Sequence, residues 1–280
     1  MTEGTTLSDL DPKLLAAIEH TAVELAQLGG AEIVHALGSM LSVKYKSLDE
    51  IDPELLRDPV SEIDGRVESM IRLRLAERFP GHDIIGEEMD ERPGIGHDFT
   101  WAVDPIDGTT NFINGFPMFA SSVGVLFRGR PVVGALWCSS THTLRAGVYH
   151  AGAGQGLRFD GMPVERTANP AVRRRLAGEP HAVNAVDVPW DTRKTGSASL
   201  ECAFVAIGLL RVARFESPNL WDVAGGVALA KAAGASVLER RDGQWRDLEA
   251  FDADPDLSAW RRPMILGDAT AVDLMAKRNA

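Results

Sequence analysis

The feature that most constrains this chain is the string WAVDPIDGTTNF, residues 101 to 112. An apolar, β-rich run delivers Asp104, and a turn through Pro105 leads to Asp107, Gly108 and Thr109. Two carboxylates are thus expected to leave one strand end together. Proline fixes the turn, and glycine lets backbone N–H groups approach an anion as they do in a phosphate-cradling nest. Carboxylates beside a backbone carbonyl suit a hard cation such as Mg²⁺. A bare Asp-Gly pair would be read as an ordinary turn; the longer string is more specific.

The rest of the chain supplies a setting for that strand. Pro12 suits a first helical position, and Leu14, Leu15, Ile18, Ala22 and Leu25 recur at helical spacing, which predicts a helix from Asp11 towards Leu41. Gly29 and Gly30 within it each cost roughly 1 kcal/mol against alanine. Residues 44 to 58, charged throughout and broken by Pro53, read as an exposed loop with at most one helical turn. Ser61 followed by Asp64 predicts a capped helix over 62–79, with Val67, Met70, Ile71 and Leu75 on one face. Strands are expected at 83–86 and 100–104, both ending at acidic residues. FASSVGVLF and PVVGALWC read as a hairpin turning at Gly129, with LRAGVYHA as a third strand, so an antiparallel sheet is the simplest account. A subdomain boundary falls around 150–165, giving halves 1–155 and 156–280. Residues 168–195 read as irregular. A helix is expected from about Ser197, and a last one from Leu220 to Lys231, capped by Asn219, alternating with strand-like ASVLER and PMILG.

Composition removes whole classes of function. The chain has 280 residues, twice the modal domain size, and no apolar run of the ~18–20 residues that a bilayer span needs. Its first residues are polar and acidic, unlike a secretory signal, so the expected location is cytoplasmic. Two cysteines, Cys138 and Cys202, both in apolar segments, give neither a disulfide framework nor zinc-finger spacing. Against 29 Lys and Arg stand 40 Asp and Glu, a formal charge of −11, and such a field repels nucleic acid. A phosphorylated partner has to be held by local chemistry.

Taken singly, the other acidic candidates have ordinary readings. The glutamates of GEE at 86–88 suit a solvated surface, Asp64 is the capping partner of Ser61, and Asp222 stands in the same relation to Asn219. Ala224, Gly225 and Gly226 read as close helix packing. What recurs is a carboxylate at an element end, in the order Asp64, Glu87, Asp104 with Asp107, then Asp222.

In that order DPVSEID (58–64), GEE (86–88), DPIDGTTNF with GFPMFASSVG (104–124), and GSASLECAFVAIG followed by WDVAGG (196–226) resemble the inositol monophosphatase family, over roughly residues 12 to 275. The resemblance implies an α+β fold, the layered α-β-α-β-α sandwich shared with fructose-1,6-bisphosphatase-like sugar phosphatases, and a Mg²⁺-dependent, lithium-sensitive phosphomonoesterase acting as a homodimer on a small phosphorylated polyol or sugar. It implies that Glu87, Asp104 and the Ile106 carbonyl hold one Mg²⁺, that Asp104, Asp107 and Asp222 hold a second, and that Glu87 shares a weaker third. Glu87 and Thr109 would orient the attacking water, with Asp64 behind Thr109 and Glu88 in support. Gly108 and Thr109 would bind phosphate oxygens, while Ser197, Ala198, Glu216, Asp107 and Asp222 would face the substrate.

The sequence also departs from that pattern. The family's short basic loop is lengthened here by LDEIDPELLR, leaving Lys44 or Lys46 as its lysine. The stretch between Val164 and Gly196 is shorter than is usual. Arg211 and Phe215 stand where the family tends to place Asp and Glu, with Glu216 one residue out of register. These changes fall on the alcohol side of the pocket, so specificity is expected to lie in residues 165–220. Thr110 stands where nucleotide-bisphosphate relatives commonly carry lysine. Histidinol-phosphate phosphatase, fructose-1,6-bisphosphatase, adenosine 3′,5′-bisphosphate phosphatase and a non-catalytic metal-binding scaffold are the alternatives.

Overall fold

The computed structural model describes residues 10–39, 41–45, 59–89, 96–152, 154–165, 169–173, 175–180, 188–252 and 256–278. Helix α1 (Pro12–Ala36) starts where the Asp11 side chain accepts the Lys13 N–H at 2.9 Å. It runs through Gly29 and Gly30 but ends at Ala36, short of Leu41. The two glycines are explained by contact: a Cβ on Gly29 would overlap Ser121 and one on Gly30 the Trp137 ring, so α1 lies flush on the sheet beneath it. Strand β1 (Val43–Tyr45), which includes exposed Lys44, pairs antiparallel with β2 (Pro59–Ser61). The rest of the expected loop, Lys46 included, lies outside the described residues. Helix α2 (Glu62–Arg78) follows with the expected capping box.

A seven-stranded sheet is built in sequence order from β3 (Asp83–Gly86), β4 (Phe99–Asp107), β5 (Ala120–Phe127), β6 (Arg130–Cys138), β7 (Gly147–Gly152), β8 (Arg158–Phe159) and β9 (Met162–Pro163). The β5–β6 hairpin turns at Arg128 and Gly129, both at positive φ, the geometry that matches the strand twist. The sheet is not wholly antiparallel. β3 runs parallel to β4, with Gly86 opposite Val103, so both strands point their carboxyl ends at one edge. The expected turn at Pro105 is also absent: β4 continues to Asp107, fully buried, and its register against β5 shifts between Asp104 and Asp107. A proline, lacking an N–H, is tolerated at such an irregularity. A short helix α3 (Thr109–Ile113) then leads away.

The second sheet has six strands in the order β11–β10–β12–β15–β13–β14: β10 (Arg175–Gly178), β11 (Trp190–Arg193), β12 (Val212–Phe215), β13 (Ser236–Arg241), β14 (Gln244–Asp247) and β15 (Met264–Gly267). Two of these strands, RLAG and WDTR, lie in the stretch expected to be irregular. Neither carries a clean alternating pattern, and both owe their extended form to parallel pairing, with each other and through β10 with β12. Helices α4 (Ala198–Ala206) and α5 (Leu220–Ala232) pack between the sheets; α6 (Ala269–Arg278), a helix not anticipated from the sequence, covers the far side of the second.

The layers are therefore α1 and α2, the first sheet, α4 and α5, the second sheet, and α6, which is the expected α-β-α-β-α sandwich. Ile18, Val67, Ile71 and Trp101 fill the outer core, and Leu200, Val223, Val227 and Leu229 the central one. The small residues of WDVAGG do pack closely: a Cβ on Gly225 would meet Leu136 at 2.8 Å and the Val123 carbonyl at 3.1 Å. Both cysteines are buried and free. Among the described residues no helix is long and apolar enough to cross a membrane.

Candidate active site

The parallel pairing of β3 and β4 decides where the acidic residues meet. Glu87 follows β3 directly and Asp104 lies near the end of β4, so two neighbouring strands deliver carboxylates to the same edge. Asp107 ends β4, and Gly108 then takes φ +93°, a left-handed conformation in which any side chain would be strained; a Cβ would in addition press on the Met118 carbonyl at 3.0 Å. That glycine turns the chain into α3 and presents Thr109. Its hydroxyl lies 3.0 Å from Asp64 Oδ1 and 2.8 Å from the Ile106 carbonyl, and its one proton serves one of them at a time.

Asp107 is held by the start of α4. The Ser197 hydroxyl donates to its Oδ2 at 3.0 Å, the Ser199 N–H donates to the same oxygen, and the Ala198 N–H reaches Oδ1 at 3.3 Å. A carboxylate placed on free N–H groups at a helix start is favoured by both hydrogen bonding and the helix dipole. Ser197 is itself the N-cap, accepting the Leu200 N–H at 3.3 Å. Two residues expected to face substrate, Ser197 and Ala198, are thus engaged with Asp107. Asp222, in the first turn of α5, accepts the Asn219 N–H at 2.8 Å, so the capping reading of that pair holds while its carboxylate remains within electrostatic reach of Asp107.

Burial dominates the electrostatics, with repulsion between carboxylates next at Asp104 and Asp222. Burial, followed by the charges of Glu87, Asp107 and Asp222, raises Asp104 well above the ordinary carboxylate range. Burial carries Asp107 up to about 6 against the hydrogen bonds from Ser199 and Ser197, and burial with the charge of Asp107 carries Asp222 up to about 8. Asp64 is also raised by burial, against its bonds from Ser61 and Thr109. Below, Glu201 accepts the Thr195 N–H and hydroxyl, both at 3.0 Å, and burial lifts it to about 7.

Among the described residues no three such side chains converge closely enough to hold a metal as they stand. The donor set nevertheless fits a hard divalent cation. Asp104 Oδ1 is buried with no hydrogen-bond partner, and the Asp104 carboxyl stands among the carboxylates of Glu87, Asp107 and Asp222, with Glu87 at side-chain hydrogen-bonding distance.

The structure brings together Asp64, Glu87, Asp104, Ile106, Asp107, Gly108, Thr109, Ser197, Ala198 and Asp222, ten of the expected residues. Glu216 follows β12, half-exposed, with Arg214 Nη2 at 3.3 Å. The expectation that Arg211 and Phe215 face the alcohol is not met. Arg211 pairs with Asp268 and lines a cavity of ≈ 1020 Å³ at the opposite, C-terminal ends of α4 and α5, and Phe215 is buried in the core. Strand alternation and direction, invisible to an ungapped alignment of motifs, place them there. Sequence reasoning gave Asn111 no role, yet its amide donates to the carbonyls of Met118 at 2.6 Å and Thr195 at 2.8 Å, tying the DGTTN turn to the start of α4. Asparagine within a motif otherwise made of turn residues was the available signal.

The profile described as "Inositol monophosphatase family" matches residues 14–262. The chain is 33% identical over 243 residues to the chloroplastic phosphatase IMPL1 of Arabidopsis thaliana, a match covering 79% of this chain and 62% of that one. It is 31% identical over 220 residues to the Nus factor SuhB of Escherichia coli K12, covering 72% and 80% respectively. The crystal structure of the extragenic suppressor protein suhB from Bartonella henselae superposes with a TM-score of 0.73 over 94% of this chain and 98% of that one, at 24% identity, and shows the same fold.

Proposed function

The chain belongs to the inositol monophosphatase family of phosphatases, and from that premise we propose that it hydrolyses the phosphate monoester of a small polyol or sugar, inositol 1-phosphate or a close analogue, with Mg²⁺ as cofactor. The observation that carries this reading is the orphaned Asp104 oxygen, buried among carboxylates that together raise Asp104. A phosphate monoester is a dianion near neutral pH, and this pocket would repel it without a resident cation. Glu87, Asp104, the Ile106 carbonyl, Asp107 and Asp222 would hold two Mg²⁺, with Glu87 shared by a weaker third. When bound, the ions supply the positive charge that accepts the phosphate, acidifies a water and stabilises the leaving oxygen.

The remaining work falls to the chain's own groups. When the Thr109 hydroxyl donates its hydrogen bond to Asp64, its lone pairs are left to accept a hydrogen bond from a water, and so to aim that water's oxygen at phosphorus. Glu87 serves as the acceptor on the other side. The N–H groups of Gly108 and Thr109 bind phosphate oxygens at the turn. Asp107, immobilised by the start of α4, keeps its orientation through the reaction. No side chain is asked to form a covalent phosphoenzyme.

Phosphate release from inositol 1-phosphate, glycerol 2-phosphate, histidinol phosphate, fructose 1,6-bisphosphate and adenosine 3′,5′-bisphosphate, with Mg²⁺ and with EDTA, tests the proposal. EDTA-resistant release overturns the metal reading, and a strong preference for one of the last three esters overturns the substrate class. A second reading, a protein that keeps the fold and binds without hydrolysing, is favoured by one observation, the Nus factor name of a relative at 31% identity. EDTA-sensitive turnover excludes it as the sole role. A homodimer in the cytoplasm completes the proposal, and analytical ultracentrifugation tests the first part.

A further inference from the structure

Helix α2 carries a second buried polar group one turn beyond Asp64. Glu68 is 0% exposed, its Oε2 accepts the Glu88 N–H at 2.7 Å, and its Oε1 accepts Arg72 Nε at 2.7 Å. Arg72, 10% exposed, reaches on with Nη2 to the Met89 carbonyl at 2.8 Å. Two backbone groups of the turn that carries Glu87 are therefore fixed by one ion pair on a neighbouring helix. The approach is close enough to dictate sequence, since a Cβ on Gly86 would overlap the Glu68 carboxylate. Asp64, Glu68 and Arg72 stand at i, i+4 and i+8, a single stripe of α2. Its first member holds Thr109 and its other two hold the turn of Glu87.

A fully buried carboxylate serving only stability would be a poor choice, because replacing a buried ion pair by apolar side chains of similar volume is often neutral or stabilising. We propose that Glu68 and Arg72 are positioning residues for Glu87: they set the 86–89 turn relative to β4, so that the Glu87 carboxylate meets that of Asp104 at the spacing a divalent cation requires. The inference rests on the metal reading given above and deepens it. Glu68 touches neither substrate nor cation. In Glu68→Gln the amide NH₂ must confront either the Glu88 N–H or the Arg72 guanidinium, donor against donor, and the turn shifts.

Isothermal titration of metal-free protein with MgCl₂, beside thermal melting of the same metal-free samples and initial rates over a Mg²⁺ series, tests this. In Glu68→Gln the Mg²⁺ dissociation constant should rise about 10–100-fold, the range for losing a group that orients a metal ligand, while kcat at saturating Mg²⁺ returns to within about threefold of wild type. Arg72→Lys keeps the charge but loses the fork that spans Glu68 and Met89 O, and should raise the constant about 3–10-fold; it decides the matter if Glu68→Gln does not fold. A Mg²⁺ affinity within twofold of wild type beside a lowered melting temperature overturns the proposal and leaves a purely structural ion pair. If wild-type protein takes up no Mg²⁺, the metal reading falls and the proposal falls with it.

Discussion

Thr109 Oγ1 lies 3.0 Å from Asp64 Oδ1, while the other oxygen of that carboxylate accepts the Ser61 N–H at 2.8 Å and its hydroxyl at 2.6 Å. The start of α2 and the candidate water-orienting hydroxyl are thereby fixed by one group. The contacts that capping requires and those that positioning requires, two readings that compete when only the sequence is known, are both present.

Asp64→Asn should therefore show two separable losses. An amide cannot accept at both ends, so either the cap or Thr109 loses its partner. Loss of the cap should cost about 1 kcal/mol of stability. Loss of Thr109's acceptor should lower kcat about 10–100-fold. Melting and steady-state kinetics on one preparation separate the two, and an intact kcat beside a lowered melting temperature would show that Asp64 acts as a cap alone.

Asp104→Asn removes the carboxyl on which Glu87, Asp107 and Asp222 all act. We predict that kcat falls at least ~10³-fold, the scale of losing a principal electrostatic element. Metal-free Asp104→Asn should fold and, near pH 8, melt above metal-free wild type, because the substitution removes a group whose ionisation is opposed in the folded state by burial and by the neighbouring carboxylates but not in the unfolded chain. A variant keeping more than a tenth of wild-type kcat at saturating Mg²⁺ is incompatible with the metal-holding role proposed for Asp104.

The pH dependence of the metal-free protein follows from the raised carboxyls. Asp107 at about 6 and Asp222 at about 8 bind protons in the folded state that the unfolded chain has released near 4, so the folded state holds the excess of protons between those values. Stability accordingly falls as pH rises from about 4 through 8, opposite in sign to a salt-bridged carboxylate. Differential scanning calorimetry in EDTA should show a lower melting temperature at pH 8 than at pH 5, and added Mg²⁺ should remove most of that difference. A melting temperature that rises over this interval in EDTA refutes the assignment.

What the sequence made legible was local. The capping boxes of α2 and α5, the Arg128–Gly129 hairpin and the acidic element ends are each written within a few residues of chain. Illegible features depended on distant pairing. β10 and β11 become strands because of each other and β12, and the parallel β3–β4 pair, which sets Glu87 beside Asp104, is specified by no residue pattern within either strand. Glu68 and Arg72 were hidden for a related reason. On a helix read for its apolar face, two charged residues look like solvent-facing ones until the 86–89 turn is placed over them.

Specificity is the last prediction, and the structure narrows it. Of the three positions expected to meet the substrate's alcohol, Arg211 lies at the other end of the central helices and Phe215 is buried, which leaves Glu216. Its carboxylate faces Arg214, which in turn lies 3.4 Å from buried Glu179. A carboxylate engaged by a guanidinium has fewer lone pairs to offer a substrate hydroxyl, and a site that does pair a hydroxyl rejects analogues lacking it by as much as ~10⁴. Without that pairing, kcat/KM should spread over no more than about two orders of magnitude across inositol 1-phosphate, glycerol 2-phosphate and a hexose phosphate. Glu216→Gln should change the ratio of inositol 1-phosphate to glycerol 2-phosphate by less than about threefold, well under the effect of one well-made hydrogen bond to a charged group. Arg211→Ala should leave that ratio unchanged and lower only the melting temperature, through loss of its pairing with Asp268. A preference above ~10³-fold for inositol 1-phosphate, abolished by Glu216→Gln, would mean that Glu216 leaves Arg214 for the substrate and supplies the missing hydroxyl acceptor after all.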